Sequence, residues 1–428
     1  MNSSARAIWK SSLLFAAAFF GQLALAAEPK NLPAQAWSTL GGSGSLRLAG
    51  WTRDRSYSAD RGFLPASFCL NFKPEEYLGF QTFFDGYLAS NDLIRSSPVG
   101  IEARELYIER KFGDFDLRVG RQVTVWGRAD KVNPTDSLST RNYKLLQTDD
   151  EDQRLGVFAT QLTYNIQTVR LIAVYQPEWR APIYPIPPLP GISVANLDPS
   201  GAERQFAFKL DQTGGTVDWS LSYFNGLSKV PDLKLVSAGA GGINVGLQYS
   251  RVDVLGGDFA LNLGKFGIRA ESAFTRTANS DGQDPLARNS EIFSTLGADY
   301  SVTENFNVNG QLLYRHVFNF QDPSAIGDPN TRALAIQESL ISNQLGSDRL
   351  GLTLRPSFKA FNDTFLAEVA LVNWFTEIGG LARPKITYAF TDSIKGIVGA
   401  EIYYGDSGSF FGRLASLTTV FAEVRLGF

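Results

Sequence analysis

Apolar and polar residues alternate along most of this chain, in runs near the ten or so residues of a membrane-crossing strand. Within 305–318, Phe306, Val308, Leu312 and Tyr314 share one face, and Asn305, Asn307, Asn309, Gln311 and Arg315 share the other. Within 265–275, Phe266, Ile268, Ala270 and Phe274 oppose Lys265, Arg269 and Glu271. A period of two marks a half-buried strand. The strands of a soluble sandwich alternate as well, so the connections must decide between the two.

The pattern predicts strands near 45–54, 63–72, 77–89, 101–112, 115–125, 155–165, 167–177, 204–212 and 215–226, then 249–263, 265–277, 291–303, 305–318, 347–358, 363–375, 382–391, 394–405 and 418–428. Tight turns follow even-numbered strands: Lys73 to Glu76, Gly113-Asp114, Thr213 to Gly215, Gly264 and Asp392-Ser393. Longer segments follow most odd-numbered strands, notably 126–154, 178–203, 227–248 and 319–346. A sandwich has no reason to segregate its loops. A transmembrane antiparallel up-and-down β-barrel does, with short periplasmic turns and long extracellular loops. The expectation is an all-β chain of about 18 strands, with 16 as the alternative.

Composition agrees. The chain carries 31 Phe, 15 Tyr and 7 Trp, but one Met, one His and one Cys. Mean hydropathy is −0.10, and no mature stretch approaches the roughly 20 apolar residues of a membrane helix. A net charge of −3 suggests no nucleic-acid partner. Residues 1–26 read as a signal peptide: Arg6 and Lys10, the apolar run Leu13 to Phe20, and Ala24-Leu25-Ala26 before the cut. Cleavage after Ala27 is the alternative. The lone Cys69 lies too far downstream for a lipoprotein anchor. Residues 27–44 then form a short periplasmic segment, and 45–428 the barrel. Val420, Ala422, Val424, Leu426 and Phe428 alternate up to the terminus. This resembles the last-strand signal read by the outer-membrane barrel insertion machinery, which makes that machinery and outer-membrane lipids expected partners.

One hairpin can be read residue by residue. Gly113-Asp114 suits a two-residue turn, placing Lys111 opposite Asp116, Glu109 opposite Arg118 and Glu105 opposite Gln122. All six fall on one face. Leu106, Ile108, Phe112, Phe115, Leu117 and Val119 fall on the other. Charged pairs on a lipid face would cost several times what cross-strand pairing contributes, so the charged face is expected to line the pore. It either zips a polar wall or sets the field that a solute meets. Tyr107 opposite Gly120 suits an aromatic covering a strand glycine. Arg110 and Arg121 fall on the apolar phase and require snorkelling or a bulge.

The segment after this hairpin, 126–154, holds five basic and six acidic residues. Near-balanced charge with Trp126, Pro134 and Tyr143 reads as a folded, ion-paired loop. Trp126, Arg128, Asp130, Lys131, Asp136 and Arg141 are its candidate constriction residues. The loop either folds into the pore or caps its mouth. Asp149 to Asp152 lack the spacing and glycine of a calcium loop, and the run reads as solvated. Farther along, 177–199 carries seven of the 19 prolines together with Trp179, Ile183, Tyr184, Ile186, Leu189 and Ile192. It reads as a self-packed outer loop or as a greasy entrance for an apolar or amphiphilic solute. A short helix is expected over 330–344, capped by Asn330 or Thr331.

Catalytic chemistry finds little support. His316, the only histidine, follows the apolar phase beside Phe318 and Phe320, which suits a membrane-interface residue rather than a base. One His and one Cys cannot build a metal cluster. No catalytic residue, metal or cofactor is expected. Residues 27–44 are too few for the plug of a TonB-dependent receptor.

Leu117-Arg118-Val119-Gly120-Arg121-Gln122, leading to Trp126-Gly127, resembles strand-to-loop motifs of porin-like outer-membrane families, some of unknown function. Gly256-Gly257-Asp258-Phe259-Ala260 with Gly267-Ile268-Arg269-Ala270-Glu271 resembles a second hairpin of one such family. The resemblance implies a transport or channel role beside inner-membrane exporters and periplasmic lipoproteins, and names no substrate. The balanced charge of 126–154 departs from trimeric porins. The expected function is passive passage of a small or amphiphilic solute through an outer-membrane channel. Export of an envelope lipid or polysaccharide is the alternative, and an outer-membrane enzyme the third reading.

Overall fold

The computed structural model describes residues 41–428 apart from 96, 187–191, 198–203 and 240–241. The expected signal peptide, residues 27–40 and Leu189 lie outside the described residues. Eighteen antiparallel strands form one sheet: β1 (Gly42–Trp51), β2 (Ala66–Phe72), β3 (Phe80–Ser90), β4 (Gly100–Phe112), β5 (Phe115–Gln122), β6 (Val157–Ile166), β7 (Val169–Gln176), β8 (Gln205–Gln212) and β9 (Val217–Leu227). The second half comprises β10 (Arg251–Leu263), β11 (Phe266–Arg276), β12 (Glu291–Ser301), β13 (Phe306–Val317), β14 (Asp348–Ala360), β15 (Phe365–Trp374), β16 (Gly379–Ala389), β17 (Ile394–Gly405) and β18 (Thr419–Gly427). Each corresponds to a strand expected from alternation. Each also pairs with its sequence neighbours, and β1 pairs with β18 from Ser45↔Gly427 to Trp51↔Phe421. The sheet is therefore a closed transmembrane barrel of 18 strands, not 16, and closure leaves it no free edge.

The outward face follows from what remains exposed. Leu106, Ile108, Leu162, Phe208, Leu221, Leu255, Leu296, Leu312 and Ile386 all keep more than a third of their surface exposed. In water such a belt would be a liability; facing hydrocarbon chains it is the stable arrangement. Aromatic rings gather at the short turns: Phe112 stacks on Phe115, Phe115 on Tyr164, and Phe266 on Tyr300. Such girdles place amphipathic rings at the membrane boundary.

Outside the wall, Ile192–Asn196, Asp232–Gly239 and Gly242–Gln248 form a three-stranded sheet within segments expected to be loops. Helix α1 (Pro329–Ile341) packs beside it. Its cap is Asp328, whose carboxylate accepts from the Thr331 N–H at 2.7 Å, rather than Asn330 or Thr331. Pro329 occupies the first turn, where its missing N–H costs nothing. Leu233, Val245, Leu247 and Leu334 form the buried centre of this outer layer, with Ile186, Ile192, Val194 and Ile341 against it.

Candidate functional site

The β4–β5 hairpin has the expected register, Tyr107↔Gly120, Glu109↔Arg118 and Lys111↔Asp116. Arg118 donates to Glu109 at 2.8 and 2.6 Å and lies 4.5 Å over the Tyr107 ring. Two of the expected pairs differ. Asp116 accepts instead from Asn165 at 2.9 Å, and among the described residues Lys111 makes no ion pair, because it sits exposed beside the turn. The ladder stops at Leu106↔Arg121, and Glu105 accepts from the Val123 N–H at 3.0 Å; Gln122 is buried and donates to the Ala159 carbonyl at 3.0 Å. A register shift at Asp85/Gly86 leaves Arg104 unpaired in the β3–β4 ladder. Such a bulge turns Arg104 to the same side as Glu105, where it pairs with Asp85 and Asp152. Arg110 lies 4.7 Å over the Phe80 ring, and Arg121 pairs with Glu178 at 3.1 Å.

The segment 123–156 reaches the charged faces of strands around the whole barrel. Arg128 holds Asp211 of β8 at 2.6 Å and also pairs with Asp258 of β10. One carboxylate, Glu271 of β11, accepts from the Arg128 and Ala129 N–H groups, both at 3.0 Å, and from the Thr135 N–H and hydroxyl at 2.7 and 2.8 Å. Gly127 makes this approach possible: it has φ +99°, and a Cβ there would fall onto the Glu271 carboxylate. Asp130 pairs with Arg355 of β14 at 2.8 Å, and its N–H donates to Gln311 of β13 at 2.7 Å. Trp126 and Leu138 bury themselves against Ala159, Val174, Ala207, Phe224 and Ala273. Alanines at three of these wall positions leave room for the indole. Asp136 pairs with Arg154 at 2.6 Å, Arg141 donates to the Asp150 carbonyl at 3.1 Å, and Lys131 is 3.9 Å from Asp150. Contacts to β8, β10, β11, β13 and β14 from one segment require it to cross the space that the strands enclose.

The acidic run corrects the expectation of a solvated stretch. Asp149 meets Lys385 at 3.0 Å and Arg425 at 2.9 Å, Asp150 pairs with Arg383, and Asp152 pairs with Arg47 and Arg104. Burial alone would raise the Asp149 and Asp150 carboxyls, but these cations hold both below the ordinary value of 3.8. Only Glu151 stays mostly exposed.

Above this segment lies a cavity of about 670 Å3. Ile186, Val194, Leu247, Leu334 and Ile341 line it from the outer layer, Ala370, Val372 and Leu381 from the wall, and Asp130, Lys131, Asp136, Arg141 and Asp150 from the crossing segment. The proline-rich stretch packs into this structure, with Tyr184 stacked on Tyr143 at 5.1 Å and Trp179 against Tyr249 at 4.6 Å. His316 sits at the rim, 2.8 Å from Asp348 and edge-on to Phe318.

The family described as Protein of unknown function (DUF1302) matches residues 49–362. The chain belongs to the DUF1302 family. The match runs from the end of β1 through β14 and so includes the crossing segment and most of its wall partners. No curated protein matches this DUF1302 chain in sequence. Its fold is similar to that of Pseudomonas aeruginosa OccK5 (OpdH), at TM-score 0.54 and 11% identity over 90% of this chain and 96% of the other. It is similar also to Acinetobacter baumannii OccAB1, at 0.53 and 13% over 90% and 95%. Pseudomonas aeruginosa OccK10 (OpdN) aligns at 0.51 and 12% over 91% and 98%. At such identities the likeness is one of fold.

Several of these residues were not singled out as site residues by the sequence. Asp258 and Glu271 stood in the hairpin that carries the family resemblance but with no role of their own, and Asp211, Arg355, Arg383, Lys385 and Arg425 stood out only as polar residues within expected strands. Their faces were legible, but their partners lie far away in the chain.

Proposed function

We propose that this DUF1302 protein is an outer-membrane channel of porin type, through which a small or amphiphilic solute passes passively. The observation that carries the reading is segment 123–156, tied across the lumen to carboxylates on one side and to Arg and Lys side chains on the other. A closed barrel supplies a polar path, and an inward loop narrows it. Trp126, Arg128, Asp130, Lys131, Asp136 and Arg141 then belong to the constriction, with Glu109 and Arg118 keeping the wall below it polar. Outer-membrane lipids cover the apolar belt, and the strand ending at Phe428 engages the insertion machinery. The conventional test is osmotic swelling of liposomes holding the purified protein, intact and with 128–152 replaced by a short linker. Swelling in small neutral solutes, faster for the shortened protein, is expected. No swelling from either protein, both well folded, removes the channel reading.

A further inference from the structure

One stretch of the wall has interrupted ladders. β14 and β15 pair in a single register from Gly351↔Trp374 to Leu354↔Leu371 and again from Ser357↔Glu368 to Ala360↔Phe365, but Arg355/Ala370 and Pro356/Val369 between them are unpaired. β16 and β17 likewise pair on both sides of an unpaired Arg383/Glu401 and Pro384/Ala400. Each gap holds a proline. The Phe375 N–H donates to the Leu350 carbonyl and the Lys359 N–H to the Asn305 carbonyl, both at 2.9 Å. Alternation therefore turns the backbone groups of even positions in β14 toward β15, and Pro356 has no N–H to offer the Val369 carbonyl. In β16 the Ile378 carbonyl accepts from the Asp406 N–H at 3.0 Å, so Pro384 in the same way offers none to Ala400. Proline within a sheet belongs to edges and bulges, and a closed barrel has no edge. A carbonyl short of its donor within hydrocarbon is costly. The β15–β16 hairpin thus has a weakened ladder on either side.

The two seams are not alike. Arg383 spans the β16–β17 gap to Glu401 at 3.0 Å. Across the β14–β15 gap, Ala370 offers Arg355 no partner. Arg355 turns instead to Asp130 of the crossing segment at 2.8 Å and reaches Glu368 of β15 only at 3.9 Å. The wall beside this seam is also apolar on both faces. Leu354 and Pro356 alternate outward from Thr353 and Arg355, whose partners Gln311 and Asp130 lie inside. Leu371 and Val369 follow by register. On the inner face, Ala370 and Val372 line the cavity with Leu381, whereas Glu109, Asp211 and Asp258 occupy inner faces elsewhere.

We propose that the β14–β15 seam is a lateral portal, through which an uncharged, hydrocarbon-rich molecule passes between the cavity and the interior of the membrane. Opening upward from the gap parts only the pairs from Gly351↔Trp374 to Leu354↔Leu371. The cavity charges beside the seam are already matched, Arg355 by Asp130 and Arg383 by Glu401. A neutral solute needs no new counter-ion there, whereas a charged one would enter hydrocarbon uncompensated.

The inference rests on the channel reading, since it gives the solute a way out, and the experiment separates the two. Leu354→Cys with Leu371→Cys places two thiols directly opposite at the edge of the gap, at a separation that a disulfide spans. Cys69→Ser removes the native thiol. Gram-negative cells carrying this barrel are given N-phenyl-1-naphthylamine, an uncharged apolar dye that intact outer membranes exclude and that fluoresces in hydrocarbon. The reduced barrel should admit the dye, and oxidation should bring entry down to that of cells lacking the barrel. Pro356→Val, which returns the missing donor, should slow entry without a cross-link; Pro384→Val, at the seam closed by Arg383 and Glu401, should not. Dye entry that oxidation leaves unchanged, or no entry through the reduced barrel, overturns the portal. If the cysteine barrel does not fold, equal entry through Pro356→Val and the unaltered protein overturns it. Ion current in planar bilayers reads the channel separately: current without dye entry rejects only the portal, and dye entry stopped by oxidation but without current rejects only the channel.

Discussion

Replacing Glu271 with Ala removes the acceptor of four hydrogen bonds that fasten the first turn of the crossing segment to β11. Glu271 is almost fully buried, so water does not substitute for the lost carboxylate, and the N–H groups of Arg128, Ala129 and Thr135 are left unmet. A hydrogen bond to a charged group is worth about 1.5–3 kcal/mol. Four that share one carboxylate are not additive, and the expected loss is ~3–5 kcal/mol, the range for breaking a buried charged contact. That corresponds to about 10²–10⁴ in the equilibrium between docked and open forms of the turn. Hydrogen exchange of the Arg128, Ala129 and Thr135 amides reads this directly, and their protection should fall by about 10²-fold or more. Asp130, Asp149 and Asp150 keep their own wall partners, so peptides covering 149–153 should change far less. Glu271→Gln keeps one acceptor oxygen and should fall between the two. Unchanged exchange at 128–135 in an E271A barrel that still shows heat-modifiable migration would refute the docking argument.

Two further expectations concern pH. The Asp149 and Asp150 carboxyls are held below 3.8 by Lys385, Arg425 and Arg383. A depressed folded value stabilises the docked run above the ordinary carboxyl value and is lost as pH falls through the depressed one. Exchange within 149–153 should therefore rise only below about pH 4, and Arg383→Gln should move that rise to higher pH. The opposite sign applies to Glu338 on α1. Burial pushes its carboxyl well above 4.5, with Asp232 adding to the shift and the Leu233 N–H, which it accepts at 3.0 Å, opposing it. An acid raised on folding stabilises the outer layer most at low pH and progressively less as pH climbs above about 4.5. Exchange over 329–341 should increase with pH after correction for intrinsic rates, and Glu338→Gln should flatten the trend; an identical pH profile in the variant contradicts it.

The barrel was legible because one layer of chain separates two media. Hydrocarbon requires Leu106, Ile108 and Leu312 on one side, a polar interior takes Glu109, Asn309 and Gln311 on the other, and the strand period records both. The β4–β5 register was legible because a two-residue turn leaves one pairing. Lys111 and Asp116 show the limit of that logic: register places two residues opposite each other, but an exposed lysine gains little from the contact. The wall partners of the crossing segment were not legible. Arg128 and Asp258 are 130 positions apart, and Asp150 and Arg383 are 233 apart. Any inward charge of the right sign would have matched the local pattern equally well. The acidic run looked solvated because its own neighbourhood holds too few cations; β1, β4, β16 and β18 supply them. The outer sheet had a signal, with Leu233 and Leu235 alternating on one strand and Ile243, Val245 and Leu247 on the other.

Single-channel recording of the purified protein in planar bilayers, before and after removal of 128–152, tests most directly whether a solute path runs through the barrel and whether segment 123–156 narrows it. Discrete current steps from the intact protein, growing when the segment is removed, are the expected result. Equal steps from both would contradict the narrowing, and silence from both, with the barrels demonstrably folded and inserted, would contradict the path itself.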